Sequence, residues 1–413
     1  MNRFVLAAIQ LLAMTTSFAA EGWPRFRGPD GAGQSETDAI PATWTESDYK
    51  WRVPLKGIGH SSPVIWDGSV YVTSAMPDDG TRFVSCLSAS NGELLWEKEL
   101  KSTTLEIGNS TSFDTASPAV DEKRLYAAWV DEGGLWTVAL DRLTGEEIWR
   151  RNLGTWEAEH GYGASPITFE DLLVISDDQK GPSSMVALDC RTGETRWKVN
   201  RNQVKAAYST PIIVRSGAGD SELITSSTAN GVSSLDPRTG RLNWELTDVF
   251  GDLRVVGSPV GAGGLIFAQS GVGSGGKMLV AIRPADSRNG TPAAVAYEVS
   301  GSLPYVPTPV DHGGLLFFIS DNGVASCIDI ATGERRWRER IGGSFFGSPI
   351  RVGERIYIIS RTGEMVVFRA ASTFELLGRI DLGEPSHSTP AVADDVLFIR
   401  TFSHLMAIGG REE

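Results

Sequence analysis

Along most of the chain, short apolar runs of beta-branched and aromatic residues alternate with polar turns, and no long stretch keeps a helical period. A small hydroxyl residue followed by proline recurs at Ser62-Pro63, Ser117-Pro118, Ser165-Pro166, Thr210-Pro211, Ser258-Pro259, Thr308-Pro309, Ser348-Pro349 and Thr389-Pro390. By subtraction the prolines stand 55, 48, 45, 48, 50, 40 and 41 positions apart. Each opens an apolar run, a polar turn and a second run, as in Pro63-Val64-Ile65-Trp66-Asp67-Gly68-Ser69-Val70-Tyr71-Val72, which is the pattern of a β-hairpin.

A second motif closes most repeats: Ala-Leu-Asp-Arg-Leu-Thr-Gly-Glu-Glu-Ile-Trp at 139–149 and Ala-Leu-Asp-Cys-Arg-Thr-Gly-Glu-Thr-Arg-Trp at 187–197, with others ending at Trp96, Trp244 and Trp337. Gly92, Gly145, Gly193, Gly240 and Gly333 fall where a tight turn needs a residue tolerant of positive φ. The tryptophan four positions later belongs to an outer strand, where an indole fills the gap between neighbouring sheets. Four strands at this period predict an all-β, eight-bladed propeller of four-stranded antiparallel blades, because one blade cannot bury both faces of its own sheet. The last repeat runs out of chain after Leu405-Met406-Ala407-Ile408, and Lys50-Trp51-Arg52-Val53-Pro54-Leu55 has the pattern of the missing outer strand. The N-terminal strand is therefore expected to complete the last blade and close the ring. Repeats five and seven are degenerate, with Tyr297 and Leu377 standing where tryptophan is expected.

Residues 1–19 read as a signal peptide, with Arg3 before an apolar run and a small-x-small site at Ser17-Phe18-Ala19. Residues 20–46 form an N-terminal extended segment and 47–410 the propeller. A periplasmic or secreted monomer without a transmembrane segment is expected. The net charge of −13 disfavours nucleic acid and anionic membrane surfaces. Cys86, Cys190 and Cys327 are too scattered for a disulfide framework and receive no chemistry.

The Ala-Leu-Asp-x-x-Thr-Gly-x-x-x-Trp motif after [ST]-P hairpins resembles the pyrroloquinoline-quinone (PQQ) repeat family, which includes quinoprotein alcohol dehydrogenases and the outer-membrane assembly lipoprotein BamB. The opening Trp23-Pro24-Arg25-Phe26-Arg27-Gly28-Pro29 is similar to the start of many exported bacterial members. The resemblance implies a PQQ site with a tryptophan floor, a disulfide of adjacent cysteines and a calcium held by Glu, Asn and Asp, with a further Asp as base. This chain has no adjacent cysteine pair, and none of those residues can be carried over. A lipobox cysteine is absent as well.

The residues leading into each [ST]-P are expected to converge on one mouth of the axial channel. They are His60, Asp114, His160, Tyr162, Tyr208, Arg254, Tyr305, Phe345, Phe346 and His387. His60 and His387 share one offset, three before proline, in adjacent blades. Such a funnel can bind an anion, a metal or a peptide, or be a water-filled mouth with satisfied polar groups. No metal site is assigned, and Asp114 is a weak candidate base.

Gly271-Val272-Gly273-Ser274-Gly275-Gly276-Lys277 fits phosphate-binding patterns, but a strand rather than a helix follows, so it reads as a hairpin loop. The run from Arg335 to Arg340 reads as a solvated outer strand. Asp78-Asp79, Asp177-Asp178 and Asp394-Asp395 read as turn formers. The leading functional reading is a non-catalytic binding or assembly module for an envelope or extracellular protein or polysaccharide. A divergent PQQ-dependent quinoprotein oxidoreductase with calcium is the alternative, and a sugar hydrolase or lyase is a third reading.

Overall fold

A computed structural model describes residues 22–104, 115–203, 205–215, 219–273 and 275–409. These fold into eight sheets in chain order, each a blade of four antiparallel strands, the seventh with Gln34–Ser35 added in parallel as a fifth. Blade one is typical: Val64–Trp66 lines the axis, followed outward by Ser69–Ala75, Arg82–Ser88 and Leu94–Leu100. The two middle strands are almost wholly buried, and the outer strand alternates between solvent and the neighbouring blade.

The ring closes as the repeat predicts. Tyr49–Pro54 forms the outer strand of blade eight, with Trp51 opposite Ala407 and Val53 opposite Leu405. His404–Gly409 is thereby paired on both sides, where a missing fourth strand would leave it as a template for association.

The [ST]-P signature has a physical cause that spacing alone does not reveal. The Ser62 amide donates to the Ser117 hydroxyl at 2.8 Å, Ser117 to Ser165 at 3.0 Å, Ser165 to Thr210 at 2.9 Å and Thr210 to Ser258 at 3.1 Å. Ser258 then donates to Thr308 at 3.0 Å, Thr308 to Ser348 at 3.0 Å, Ser348 to Thr389 at 2.9 Å, and Thr389 back to Ser62 at 3.2 Å. These eight bonds make a closed girdle around the axis. Each satisfies a buried amide that would otherwise lack a partner on an axial edge strand. The following proline lacks an N–H and suits an edge strand for that reason.

The outer motif works between blades. The Trp96 indole N–H reaches the Arg142 carbonyl, Trp149 that of Cys190, Trp197 that of Pro237, and Trp337 that of Ala371, at 2.9 to 3.0 Å. In degenerate blade five, Tyr297 takes the same place by donating its hydroxyl to the Ile330 carbonyl at 2.5 Å. The turn glycine of the next blade receives the ring. At Gly193, with φ of 70°, a Cβ would stand 2.7 Å from the Trp149 ring, so both backbone and space require glycine.

Cys86, Cys190 and Cys327 are buried and free, in blades one, three and six. Asp394 and Asp395 occupy a tight turn at positive φ, as expected. Asp177-Asp178 corrects the sequence reading. Both are buried, and Asp178 faces Arg201 Nε at 3.2 Å, so this pair belongs to the interior of blade three rather than to a solvated turn. Gly275–Arg283 is a strand paired with Leu265–Val272, which removes the phosphate-loop reading. Arg335–Arg340 is the outer strand of blade six.

Candidate functional site

Strand polarity divides the channel into two mouths. Leads into the [ST]-P positions, and turns between second and third strands, lie at one mouth; turns between first and second strands lie at the other. The second mouth is closed by the chain's own segment 22–40. Trp23 pairs with Ile65 in blade one, and the Pro24 carbonyl accepts from Val120 in blade two. Arg25 donates to the Pro211 carbonyl in blade four at 3.2 Å. Arg27 is 1% exposed and donates to Gly31, Ala32, Thr308, Pro309 and Pro349 carbonyls at 2.6 to 3.3 Å. Gln34–Ser35 then pairs in parallel with blade seven. Axial edge strands present carbonyls with no neighbour, and two guanidinium groups satisfy several of them at once. Burial, partly offset by Asp30, pushes Arg25 down to about 10 and Arg27 to about 9, so both are charged at neutral pH. The motif that carries the family resemblance at the N-terminus is thus a plug.

At the open mouth, the His60 and His387 rings lie 4.6 Å apart, as their shared offset predicts. Phe402 contacts both, at 4.7 and 5.0 Å. The Phe346 ring meets His387 at 5.0 Å and carries the Arg361 guanidinium over its face at 4.3 Å. Arg361 Nε donates to His387 Nε2 at 3.3 Å. Burial, with the charges of its neighbours His387 and Arg400, holds His60 down to about 3; burial and Arg361 hold His387 down to about 4. Both imidazoles are neutral at pH 7 and can stack without repulsion.

Across the mouth, Arg254 pairs with Glu159 at 3.0 Å, and the His160 and Tyr208 rings stand 5.9 Å apart. Burial and then Arg254 lower the His160 pKa, against a raising effect of Glu159. Tyr305 is raised by burial, with Arg254 beside it acting to lower it. Lys277 pairs with Asp321 at 2.5 Å, and the same carboxylate accepts from the Tyr305 and Val306 amides at 2.9 and 3.1 Å. A cleft of 580 Å³ opens between blades five, six and seven, with Lys277, Asp321, Phe346 and Arg361 on its walls.

Two of the expected funnel residues point elsewhere. Phe345 is fully buried in the core between blades six and seven. Tyr162 is buried between blades two and three, with its hydroxyl donating to the Ser176 carbonyl at 3.0 Å. Of the two consecutive phenylalanines, which lie in the loop between Arg335–Arg340 and Ile350–Val352, only Phe346 is exposed, at 39%. Asp114 lies outside the described residues. Glu159, Lys277, Asp321, Arg361 and Phe402 were missed as site residues. Asp321, Arg361 and Phe402 stand at or beside turns between second and third strands, which share the mouth with the leads.

The residues do not fit the clamp of the quinoprotein enzymes. Calcium takes six to eight oxygen ligands as a rule, and Glu159 and Asp321 are each committed to a cation. Among the described residues no group of three His, Cys, Asp or Glu is placed to share a metal ion. The cysteines stand in separate blades.

The fold and its closed girdle define an eight-bladed propeller of the PQQ-repeat class. The profile of the family described as outer membrane protein assembly factor BamB matches residues 44–139 and 134–373, and the chain belongs to that family. Among solved structures, BamB from Moraxella catarrhalis is similar with a TM-score of 0.63 at 15% identity, over 88% of this chain and 97% of that one. Quinohemoprotein alcohol dehydrogenase from Comamonas testosteroni gives a TM-score of 0.67 at 14% identity, over 96% of this chain and 82% of that one. Likeness at these identities establishes the fold alone. None of the curated proteins compared matches the sequence.

Proposed function

We propose that the chain is an exported, periplasmic or secreted propeller that acts as a non-catalytic binding or assembly module for an envelope or extracellular protein or polysaccharide. One observation carries this reading. At the open mouth both carboxylates are paired, Glu159 with Arg254 and Asp321 with Lys277, and His387 accepts from Arg361, while Phe346 and Arg361 remain exposed on its rim. Paired groups supply rigidity and poor general bases, and an exposed aromatic beside a cation supplies a contact surface. The plug leaves one mouth for a partner. The family description of an assembly factor agrees with this role.

The test measures binding of the full chain to immobilised envelope proteins and polysaccharides, beside a titration with PQQ and calcium and a dye-linked alcohol and sugar oxidation assay. Saturable binding to a partner without turnover is expected. Saturable PQQ binding with calcium-dependent dye reduction would overturn the proposal in favour of a quinoprotein oxidoreductase. Hydrolysis or elimination of a bound polysaccharide would overturn it in favour of a sugar hydrolase or lyase.

A further inference from the structure

We infer that the cleft between blades five, six and seven binds a carboxylate-bearing saccharide unit, with the Arg361 guanidinium receiving the carboxylate. This rests on the binding-module reading above and names the ligand class for its open mouth.

The argument begins with charge. The chain as a whole carries −13, so a cation left over on its surface is set against the background. Lys277 and Asp321 neutralise each other across the cleft wall at 2.5 Å. Arg361 makes no ion pair among the described residues; its Nε is held by the lone pair of neutral His387 at 3.3 Å, and its plane lies on Phe346 at 4.3 Å. One nitrogen and one face are therefore fixed, and the terminal nitrogens remain to donate two parallel hydrogen bonds to a planar carboxylate. His387 is itself fixed by stacking on His60, which is 7% exposed and whose Nδ1 lacks a partner.

The rest of the cleft selects for hydroxyls. Its volume of 580 Å³ is of the size that holds a small ligand, about 300–1,000 Å³ in most proteins. Ser302, Ser344 and Asn322 line it as accessible polar groups, with buried Ser320 behind them donating its hydroxyl to Asn322 Oδ1 at 2.7 Å, against only Phe346 and Leu303 as large apolar groups. A peptide side chain of the usual hot-spot kind would need a deeper apolar pocket. A pyranose ring offers hydroxyls to Ser302, Ser344 and the Asn322 amide nitrogen, and a C–H face to the exposed part of Phe346, which is 39% exposed.

The experiment is calorimetric titration of the full chain with trigalacturonate, beside its neutral galactose counterpart, acetate and inorganic phosphate. Trigalacturonate is expected to bind, and Arg361→Gln to weaken it by about tenfold to a hundredfold, the worth of a charge-assisted pair of hydrogen bonds. Arg361→Lys should recover part of the loss, and Phe346→Ala should weaken binding without abolishing it. Thermal midpoints of the variants confirm that they are folded, and Arg338→Gln, on the outer strand of blade six, should bind as the parent does.

Equal affinity for the neutral oligosaccharide, or competition by acetate or phosphate at the same concentration, would overturn the inference. Uronate binding indifferent to Arg361 would overturn this site and leave the binding-module reading standing. Dye-linked turnover with PQQ in place of saccharide binding would remove both.

Discussion

Arginines approach both mouths of the channel, and the fold treats them in opposite ways. At the closed mouth Arg27 is 1% exposed and spends its donors on five backbone carbonyls. At the open mouth Arg361 is exposed, gives one nitrogen to His387 and lies on an aromatic face. The sequence presents both as arginine close to glycine and a small or aromatic neighbour. What separates structure from site is the supply of orphan acceptors. Axial edge strands offer carbonyls to Arg27 at the plugged end, and buried Arg400 likewise donates to the Ser61 and Thr73 carbonyls beside the open mouth, whereas Arg361 on the rim meets only an imidazole and an aromatic ring.

The sharpest way to break this comparison is to empty the plug. Arg27→Ala should cost about 3–5 kcal/mol of unfolding free energy, because several buried carbonyls lose their donor at about 1–3 kcal/mol each. Arg27→Lys should recover little, because one ammonium cannot span carbonyls on two blades. Urea unfolding with a constant m-value measures both. A loss below about 0.5 kcal/mol, typical of surface substitutions, would mean that the plug is ornamental.

The seam between blades should respond next. Gly193→Ala imposes a left-handed alanine and drives a Cβ into the Trp149 ring 2.7 Å away, for a loss of about 2–4 kcal/mol. Combining it with Trp149→Leu tests the collision: the double variant should be more stable than the sum of the single losses predicts. Strict additivity would assign the loss to backbone alone. In the girdle, Ser165→Ala leaves the buried Ser117 amide without its acceptor, which costs about 1–3 kcal/mol. Ser165→Thr retains the hydroxyl and should stay near the parent.

These positions show which parts of the molecule were legible. Blade number, order and the Tyr49–Pro54 closure follow from repeats, because each blade solves the same burial problem and writes the same residues. The stacking of His60 on His387 was legible for the same reason, as an equal offset in adjacent blades. The plug was not, since Trp23 to Pro29 occurs once and a single motif has no period to expose its role. Arg361 and Asp321 were hidden because the turns between second and third strands carry no fixed residue. Phe345 and Phe346 could not be told apart because they lie in an irregular loop between Arg335–Arg340 and Ile350–Val352, which has no period to set the direction of a side chain. The buried Asp177-Asp178 pair escaped because its partner, Arg201, stands on a distant strand of the blade.

The smallest effect expected is the pH response of the open mouth. An unfolded histidine takes up its proton near its ordinary pKa of 6.5, whereas in the fold burial and neighbouring charge hold His60 at about 3 and His387 at about 4. Between those values the unfolded chain binds more protons, so stability is present above pH 6.5 and is lost as pH falls toward the folded pKa values. Asp177 acts in the opposite sense: burial raises it from 3.8 to about 6, so its contribution is complete below 3.8 and disappears as pH rises through about 6. The two effects partly cancel in the same window and flatten the acid limb of the parent. His387→Asn should flatten that limb further or reverse it, and Asp177→Asn should steepen it, with urea midpoints at about pH 7.5 and about pH 4.5 giving the comparison. If His387→Asn leaves the difference between those midpoints unchanged, the imidazole pair is not held neutral by the fold, and the account of how His387 fixes Arg361 at the open mouth fails with it.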